Sequence, residues 1–335
     1  MLIETPLSAL LGVRQPILLA PMDVVAGARL VAAVSAAGGF GILGGGYGDR
    51  VWLEQETGKL PRSTPFGIGF ITWSLAKQPG LLDVALAAQP RAVMLSFGDP
   101  KPFAARIKQA GAILICQVQD EELAQQALDA GADILVAQGT EAGGHGASRT
   151  TLDVVPAIVD LAAGRVPVVA AGGIADGRGL AAMLMLGASG VLLGTRFYAS
   201  EEADVAEEAK RRVCAAKSGD TVRGIIFDLS RDNVWPAPFT GRCLVNDHLR
   251  RWMGHEVELM QNLRKVGAEY AEAKARGDFD IAAVIAGEAV GLIHDVPSAG
   301  EIVDRIIVEA EQILRGRRNS ALNFSLPSSH RGERA

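Results

Sequence analysis

The sequence predicts an α/β fold, a closed (β/α)8 TIM barrel followed by a mostly helical C-terminal extension. Between Pro16 and Arg196, eight short apolar runs alternate with stretches of helical spacing. Strands of a parallel sheet are covered on both faces, so they read as continuous apolar runs rather than alternating ones. Several units close with Ala-Gly or Gly-Ala before the next run, at Ala37-Gly38, Ala110-Gly111, Ala130-Gly131 and Gly187-Ala188. Glycine takes the left-handed backbone that ends a helix, so this is a C-cap signature repeated along the chain. The repeat is unbroken, and its crossovers are long enough for right-handed parallel connections. An open doubly wound sheet would need fewer strands or a break.

In chain order the strands are expected at Ile17–Ala20, Phe40–Leu43, Phe66–Phe70, Ala92–Ser96, Ile113–Gln117, Ile134–Ala137, Val168–Ala171 and Gly190–Leu193. The intervening helices are expected over Ala28–Ala37, Asp49–Gly58, Leu81–Ala88, Pro102–Gln109, Asp120–Ala130, Asp153–Ala163 and Asp176–Leu186. Pro102 suits the start of a helix, and Asp120, Asp153 and Asp176 suit N-caps. Beyond Arg196 the pattern changes. A charged amphipathic helix over Glu201–Ala216 leads to an extended segment over Thr221–Leu229. A Pro/Gly-punctuated stretch, Arg231–Arg242, carries Trp235 and Phe239, and helices follow over Leu249–Ala275, Ile281–Ala289 and Ser298–Leu314. The chain thus divides into a barrel over 1–200, an extension over 201–316 and a polar tail over 317–335 expected to be disordered.

Composition narrows the function. Lys plus Arg is 33 and Asp plus Glu 38, a net charge of −5, which argues against nucleic acid or an anionic membrane as partner. The three cysteines, Cys116, Cys214 and Cys243, are odd in number and lack metal-ligand spacing, as expected of thiols in a reducing compartment. No signal peptide is evident, and Gly, Asp, Arg or Pro interrupts each apolar run before it reaches membrane-spanning length. A cytoplasmic protein is expected.

Barrel architecture places chemistry at the C-terminal ends of the strands. The first strand ends in Ala20-Pro21-Met22, where proline fixes the backbone and methionine offers an adaptable apolar surface, although plain packing would use the same residues. The third ends in Gly67-Ile68-Gly69-Phe70, whose glycines admit close backbone approach or a bulge. The sixth runs into Gln138-Gly139-Thr140-Glu141-Ala142-Gly143-Gly144-His145-Gly146, a glycine-rich loop with one carboxylate and one histidine. Histidine titrates near neutral pH and can give or take a proton. The seventh and eighth lead into Gly172-Gly173-Ile174 and Leu192-Leu193-Gly194-Thr195-Arg196. Loops in those two positions commonly form a phosphate site from backbone N–H groups, and Thr195 can add a hydroxyl. His145 falls on the same face as that site. The remaining histidines lie in the extension or tail, and no metal-ligand cluster, strand-end lysine, nucleophile elbow or Cys-x-x-Cys is present.

Four of these features together resemble the nitronate monooxygenase family, formerly 2-nitropropane dioxygenases. They are Ala20-Pro21-Met22, the Ala33–Leu43 run, the Gln138–His145 loop, and Gly172-Gly173-Ile174 with Gly194-Thr195-Arg196. The match extends to Ala286-Gly287-Glu288-Ala289-Val290-Gly291. The resemblance implies a TIM-barrel flavoprotein with non-covalent FMN. Gln138, Gly143 and Gly144 would contact the flavin; Gly172, Gly173 and Leu192 to Thr195 would hold the phosphate; Ala20, Pro21, Met22 and Gly69 would lie near the ring. His145 would be the catalytic histidine. Such enzymes oxidise a nitronate or nitroalkane with O2 to a carbonyl compound and nitrite. Many members carry Gly-x-Asn after the third strand, with the Asn amide on the flavin, whereas this chain has Gly67-Ile68-Gly69; backbone groups or Thr72 are the available substitutes.

Two alternatives compete with this reading. One keeps FMN but takes hydride from NAD(P)H to reduce a quinone or an enoyl thioester. The other is a phosphate-ligand barrel without flavin. Oligomeric state is open, with the extension from Leu249 offering a surface for a homodimer.

Overall fold

A computed structural model describes residues 3–61 and 63–316. The eight barrel strands are β1 (Ile17–Leu19), β2 (Gly41–Gly44), β3 (Phe66–Ile71), β4 (Ala92–Ser96), β5 (Ile113–Val118), β6 (Ile134–Gln138), β8 (Val168–Ala171) and β9 (Gly190–Leu193). β7 (Gly144–Gly146) lies outside the barrel. All barrel pairings are parallel, in the order β1-β9-β8-β6-β5-β4-β3-β2, and a parallel bridge between Leu18 and Phe40 closes the ring between β1 and β2.

Side chains alternate across each strand, which sorts the apolar residues into two layers. Leu18, Ile42, Met94, Ile115, Val136, Val169 and Leu192 fill the barrel interior. Their neighbours Ile17, Leu19, Leu43, Val93, Leu114, Leu135, Val168 and Leu193 pack outward against the helices. The floor comes from a helix not expected from the sequence, Pro6–Leu11. Its Thr5 and Ser8 form a capping box, and Leu7 packs with the interior cluster and against Gly190 at the start of β9.

The helix stops follow the repeated glycines: Gly38, Gly111, Gly131 and Gly187 have φ of 95°, 75°, 86° and 92°. Asp120 and Asp176 cap as expected. Asp153 does not, because that helix starts at Thr151 and leaves Asp153 in its first turn, bonded to Arg149.

The extension departs further from expectation. The charged helix covers only Glu207–Ala215. The segment at 221–229 splits into β10 (Thr221–Gly224) and a short helix, Ile226–Ser230. The Pro/Gly-rich stretch ends in β11 (Thr240–Leu244), and β10, β11 and β7 form an antiparallel sheet. Three helices replace the expected long one: Asp247–Trp252, Glu256–Gln261 and Leu263–Arg276. Asn246 caps the first of them, and the left-handed Gly277 ends the last. Residues 281–289 are not an α-helix; they run as irregular chain into a 3-10 turn, Glu288–Leu292, because Ala286-Gly287 is drawn against the loop after β6. The final helix, Ala299–Leu314, starts at its Ser298 cap and packs on the barrel with Ile302, Val303, Ile306 and Ile307. The tail at 317–335 lies outside the described residues.

Candidate active site

After Gln138 the chain turns out of the barrel and runs into β7, where His145 pairs with Gly241 of β11. The loop between is fastened by backbone polar groups that would otherwise be lost to water. Arg223 donates through Nη2 to the carbonyls of Thr140 (2.8 Å) and Ala142 (2.9 Å) and through Nε to Thr140 Oγ1 (3.2 Å). Arg242 adds a 2.8 Å bond to Thr140 O. Burial, then the neighbouring Arg242, lowers the Arg223 guanidinium to about 10. Glu141, a candidate acid or base by residue type, is committed to Thr151: its carboxylate accepts from the backbone N–H and the hydroxyl, both at 2.8 Å. A Cβ at Gly143 would lie 2.7 Å from the Ala286 carbonyl carbon, so Gly143 is required where the loop meets Ala286-Gly287.

His145 sits in a built environment. Its Nε2 is 2.9 Å from Asp228 Oδ2, and Asp228 Oδ1 accepts from Arg231 at 2.6 Å. Trp235 stacks on the imidazole with ring centroids 3.4 Å apart and planes 6° from parallel. The indole N–H donates to Tyr47 Oη at 2.9 Å, and Trp73 and Phe97 meet the indole edge to face. Burial lowers the His145 pKa below 6.5, against the opposing pull of Asp228. The shift favours the neutral ring, the form able to accept a proton.

The other sequence-predicted residues fall into two groups around the barrel mouth. Gly194 lies beside Ala20 and Met22, with room for a Cβ at 3.6 Å from Ala20 Cβ and 3.8 Å from Met22 Sδ. Gly172 (φ 108°) and Gly173 (φ 72°) hold left-handed backbone next to the β6 loop, and Gly173 is exposed. Thr195 Oγ1 accepts from Gly287 N at 2.9 Å. Leu192 points into the barrel and Leu193 away from it, so Leu193 has only its backbone to offer the mouth. The helix after β8 does not present a free N-terminus: Glu309 takes the N–H of Gly177, and Asp176 takes those of Arg178 and Gly179. The glycine loops themselves are left as the place for a phosphate.

Near the second group, Gln138 donates to His145 O (3.0 Å) and accepts from Gln119 Nε2 (2.8 Å). Gly144 precedes His145 with φ of 70°. Gly69 is buried against the Pro21 ring, which a Cβ would strike, so an Asn at this position could not coexist with Pro21 as placed. Thr72, one turn further on, has a buried hydroxyl with no partner, as does the Gln119 carbonyl oxygen at the end of β5. Buried polar atoms without partners are costly. A planar ligand with a polar edge, such as an isoalloxazine, would satisfy them, and the exposed glycine backbones suit its phosphate. The residues fit a flavin.

Asp228, Arg231, Tyr47, Trp73, Gln119 and Arg223 were not singled out from the sequence. Their roles arise from contacts across many residues of chain. The i, i+3 spacing of Asp228 and Arg231 was the only local hint. Among the described residues no His/Cys/Asp/Glu group has metal-binding geometry, and no helix is long and apolar enough to cross a membrane.

Comparison with known proteins identifies the family and the barrel. The family model for nitronate monooxygenase matches residues 4–78 and 71–309. Nitronate monooxygenase npaC of Metarhizium robertsii is 35% identical, with 88% of this chain and 90% of the relative covered. A (3aS,4S,5R,7aS)-5-hydroxy-7a-methyl-1-oxo-octahydro-1H-indene-4-carboxyl-CoA dehydrogenase of Mycobacterium tuberculosis is 30% identical, covering 92% of this chain and 97% of the relative. Among solved structures, FabK from Thermotoga maritima superposes with a TM-score of 0.82 at 30% identity, covering 94% of this chain and 99% of the other. Nitroalkane oxidase from Streptomyces ansochromogenes gives 0.77 at 27% identity, covering 93% of this chain and 100% of the other. This chain is an oxidoreductase on the same barrel. With its glycine loops, strand-end histidine and matched extension, the chain belongs to the nitronate monooxygenase family.

Proposed function

We propose that the protein oxidises alkyl nitronates or nitroalkanes with O2, using FMN held in the barrel mouth and His145 as the group that accepts a substrate proton. The observation that supports this reading is a largely enclosed histidine in β7, bonded to Asp228 and stacked on Trp235, on the side of the barrel where the strand ends carry the glycine loops and the unpartnered Thr72 and Gln119 atoms. When bound, FMN supplies the two-electron acceptor and the reactivity toward O2. The chain supplies placement. Gly173, Gly194 and Thr195 offer backbone and hydroxyl donors to the phosphate, while Ala20, Pro21 and Met22 form the apolar wall beside Gly194 and Gly69. Thr72 stands in for the absent Asn. The low pKa of His145 favours a proton acceptor over a cation that merely holds an anionic nitronate. The Trp235 indole shields the imidazole from water, which keeps it neutral.

A second reading is favoured by the likeness to FabK: NAD(P)H-dependent reduction of a quinone or an enoyl thioester on the same site. Substitution of His145 tests the first. His145→Ala is expected to keep bound FMN, read from its visible absorbance, and to lose turnover of a neutral nitroalkane by about 10²- to 10⁴-fold, whereas a nitronate, already deprotonated, should lose less. Unchanged turnover would remove His145 from the mechanism.

A further inference from the structure

The short helix Ile226–Ser230 brings Asp228 from the extension to His145, 83 residues earlier in the chain. Asp228 is 5% exposed, and both of its oxygens are in use, one on His145 Nε2 and one on Arg231. A carboxylate only accepts hydrogen bonds, so the shared proton belongs to the imidazole Nε2. The ring is held on its other sides as well. The Trp235 indole covers one face. Gln138 holds the residue's own carbonyl. The Cα of Gly241 lies so close that a Cβ there would be 3.6 Å from Nε2 and 3.8 Å from Asp228 Oδ2. The ionisable groups acting on the imidazole are Asp228, Arg231 and Arg223, and only Asp228 favours the imidazolium. A neutral histidine has one donor and one acceptor nitrogen, and a bond to one nitrogen decides the character of the other.

We infer that Asp228, paired with Arg231, is a positioning residue: it fixes His145 as the Nε2–H tautomer and leaves Nδ1 as the atom that takes the substrate proton. For a nitroalkane the step moves one proton, from the α-carbon to Nδ1; the electron pair stays with the substrate, which becomes the nitronate, and the imidazolium formed is stabilised by the facing carboxylate. This inference rests on the proposed role of His145. It places an active-site requirement in the extension, not in the barrel.

The test is ¹⁵N NMR of histidine-labelled, flavin-loaded protein, with the His145 signal assigned by its loss in His145→Gln, followed by pH–rate profiles. Wild type is expected to show a protonated Nε2 and an unprotonated Nδ1. Asp228→Asn keeps an oxygen for Arg231, and its amide can donate to Nε2, which is expected to move the proton to Nδ1. Its kcat is expected to fall on the order of 10²- to 10⁴-fold with KM little changed, the range for misplacing a general base. The acid limb should shift to lower pH, because the carboxylate no longer favours the imidazolium. Asp228→Glu should recover part of the rate. A protonated Nδ1 in wild type would overturn the inference, as would an Asp228→Asn protein with wild-type tautomer, kcat and acid limb. Failure of the underlying reading looks different: His145→Ala would then turn over normally whatever the tautomer.

Discussion

On one side of the barrel mouth, after β8 and β9, the chain presents Gly172, Gly173, Gly194 and Thr195 within a span of 24 residues. On the other side, after β6, His145 meets Asp228 and Trp235, with Arg231 behind the carboxylate and Tyr47, Trp73 and Phe97 around the indole. The first side offers mainly backbone, and its strand ends and left-handed turns are set locally, with Gly287 and Glu309 of the extension adding contacts to Thr195 and Gly177. The second works through side chains that meet only after the extension has folded over the mouth. On the proposed reading, the phosphate side asks less of the extension than the proton chemistry does.

The largest structural effect expected is at Arg223. Arg223→Met takes the Arg223 donor from Ala142 O and leaves Thr140 O with Arg242 alone, and should cost about 1–3 kcal/mol, read from chemical denaturation. If the two sides are independent, FMN affinity should fall less than nitronate turnover in this variant. Next is Gly69→Asn, which restores the residue common in the family. Because a side chain there strikes Pro21, it is expected to destabilise the protein by about 1–3 kcal/mol and not to tighten FMN binding. Tighter binding would show that Pro21 yields and that the family's Asn could have been kept.

Smaller effects follow from titration. Burial lowers both His145 and His248 below 6.5 in the folded chain. The unfolded chain then takes up protons first as pH falls, so their contribution to stability is full above about 6.5 and is lost as pH drops from there through the folded values. Thermal midpoints of wild type and His145→Gln between pH 7.5 and 5 should diverge in that window, with the wild type losing more. The smallest effect is expected for Trp235→Ala. Admitting water to the imidazole should move its pKa up toward 6.5, read as an upward shift of the acid limb of the rate profile. No shift would mean that the barrel wall, and not the indole, excludes solvent.

The same contrast explains what the sequence made legible. Ala92–Ser96, Val168–Ala171 and Gly190–Leu193 appear at their expected bounds because a buried parallel strand writes itself as an apolar run. The C-cap glycines are equally plain. Ile281–Ala289 looked helical by spacing, yet its Ala286-Gly287 pair is held against Gly143, a tertiary demand that no local pattern records. The β7–β11 pairing rests on short stretches, and Gly144-His145-Gly146 has none of the residues that favour strands. Asp228 sits in an unremarkable Phe-Asp-Leu, and only its 2.9 Å approach to His145 gives it meaning.

The most direct measurement is anaerobic mixing of the purified, FMN-loaded protein with an alkyl nitronate and, separately, with NADH, followed by visible absorbance. The proposed function expects the nitronate to bleach the flavin rapidly and NADH to leave it oxidised, with admission of O2 restoring the colour. Bleaching by NADH alone would contradict nitronate oxidation and move the protein to the reductase reading. A colourless protein that takes up no FMN would contradict both.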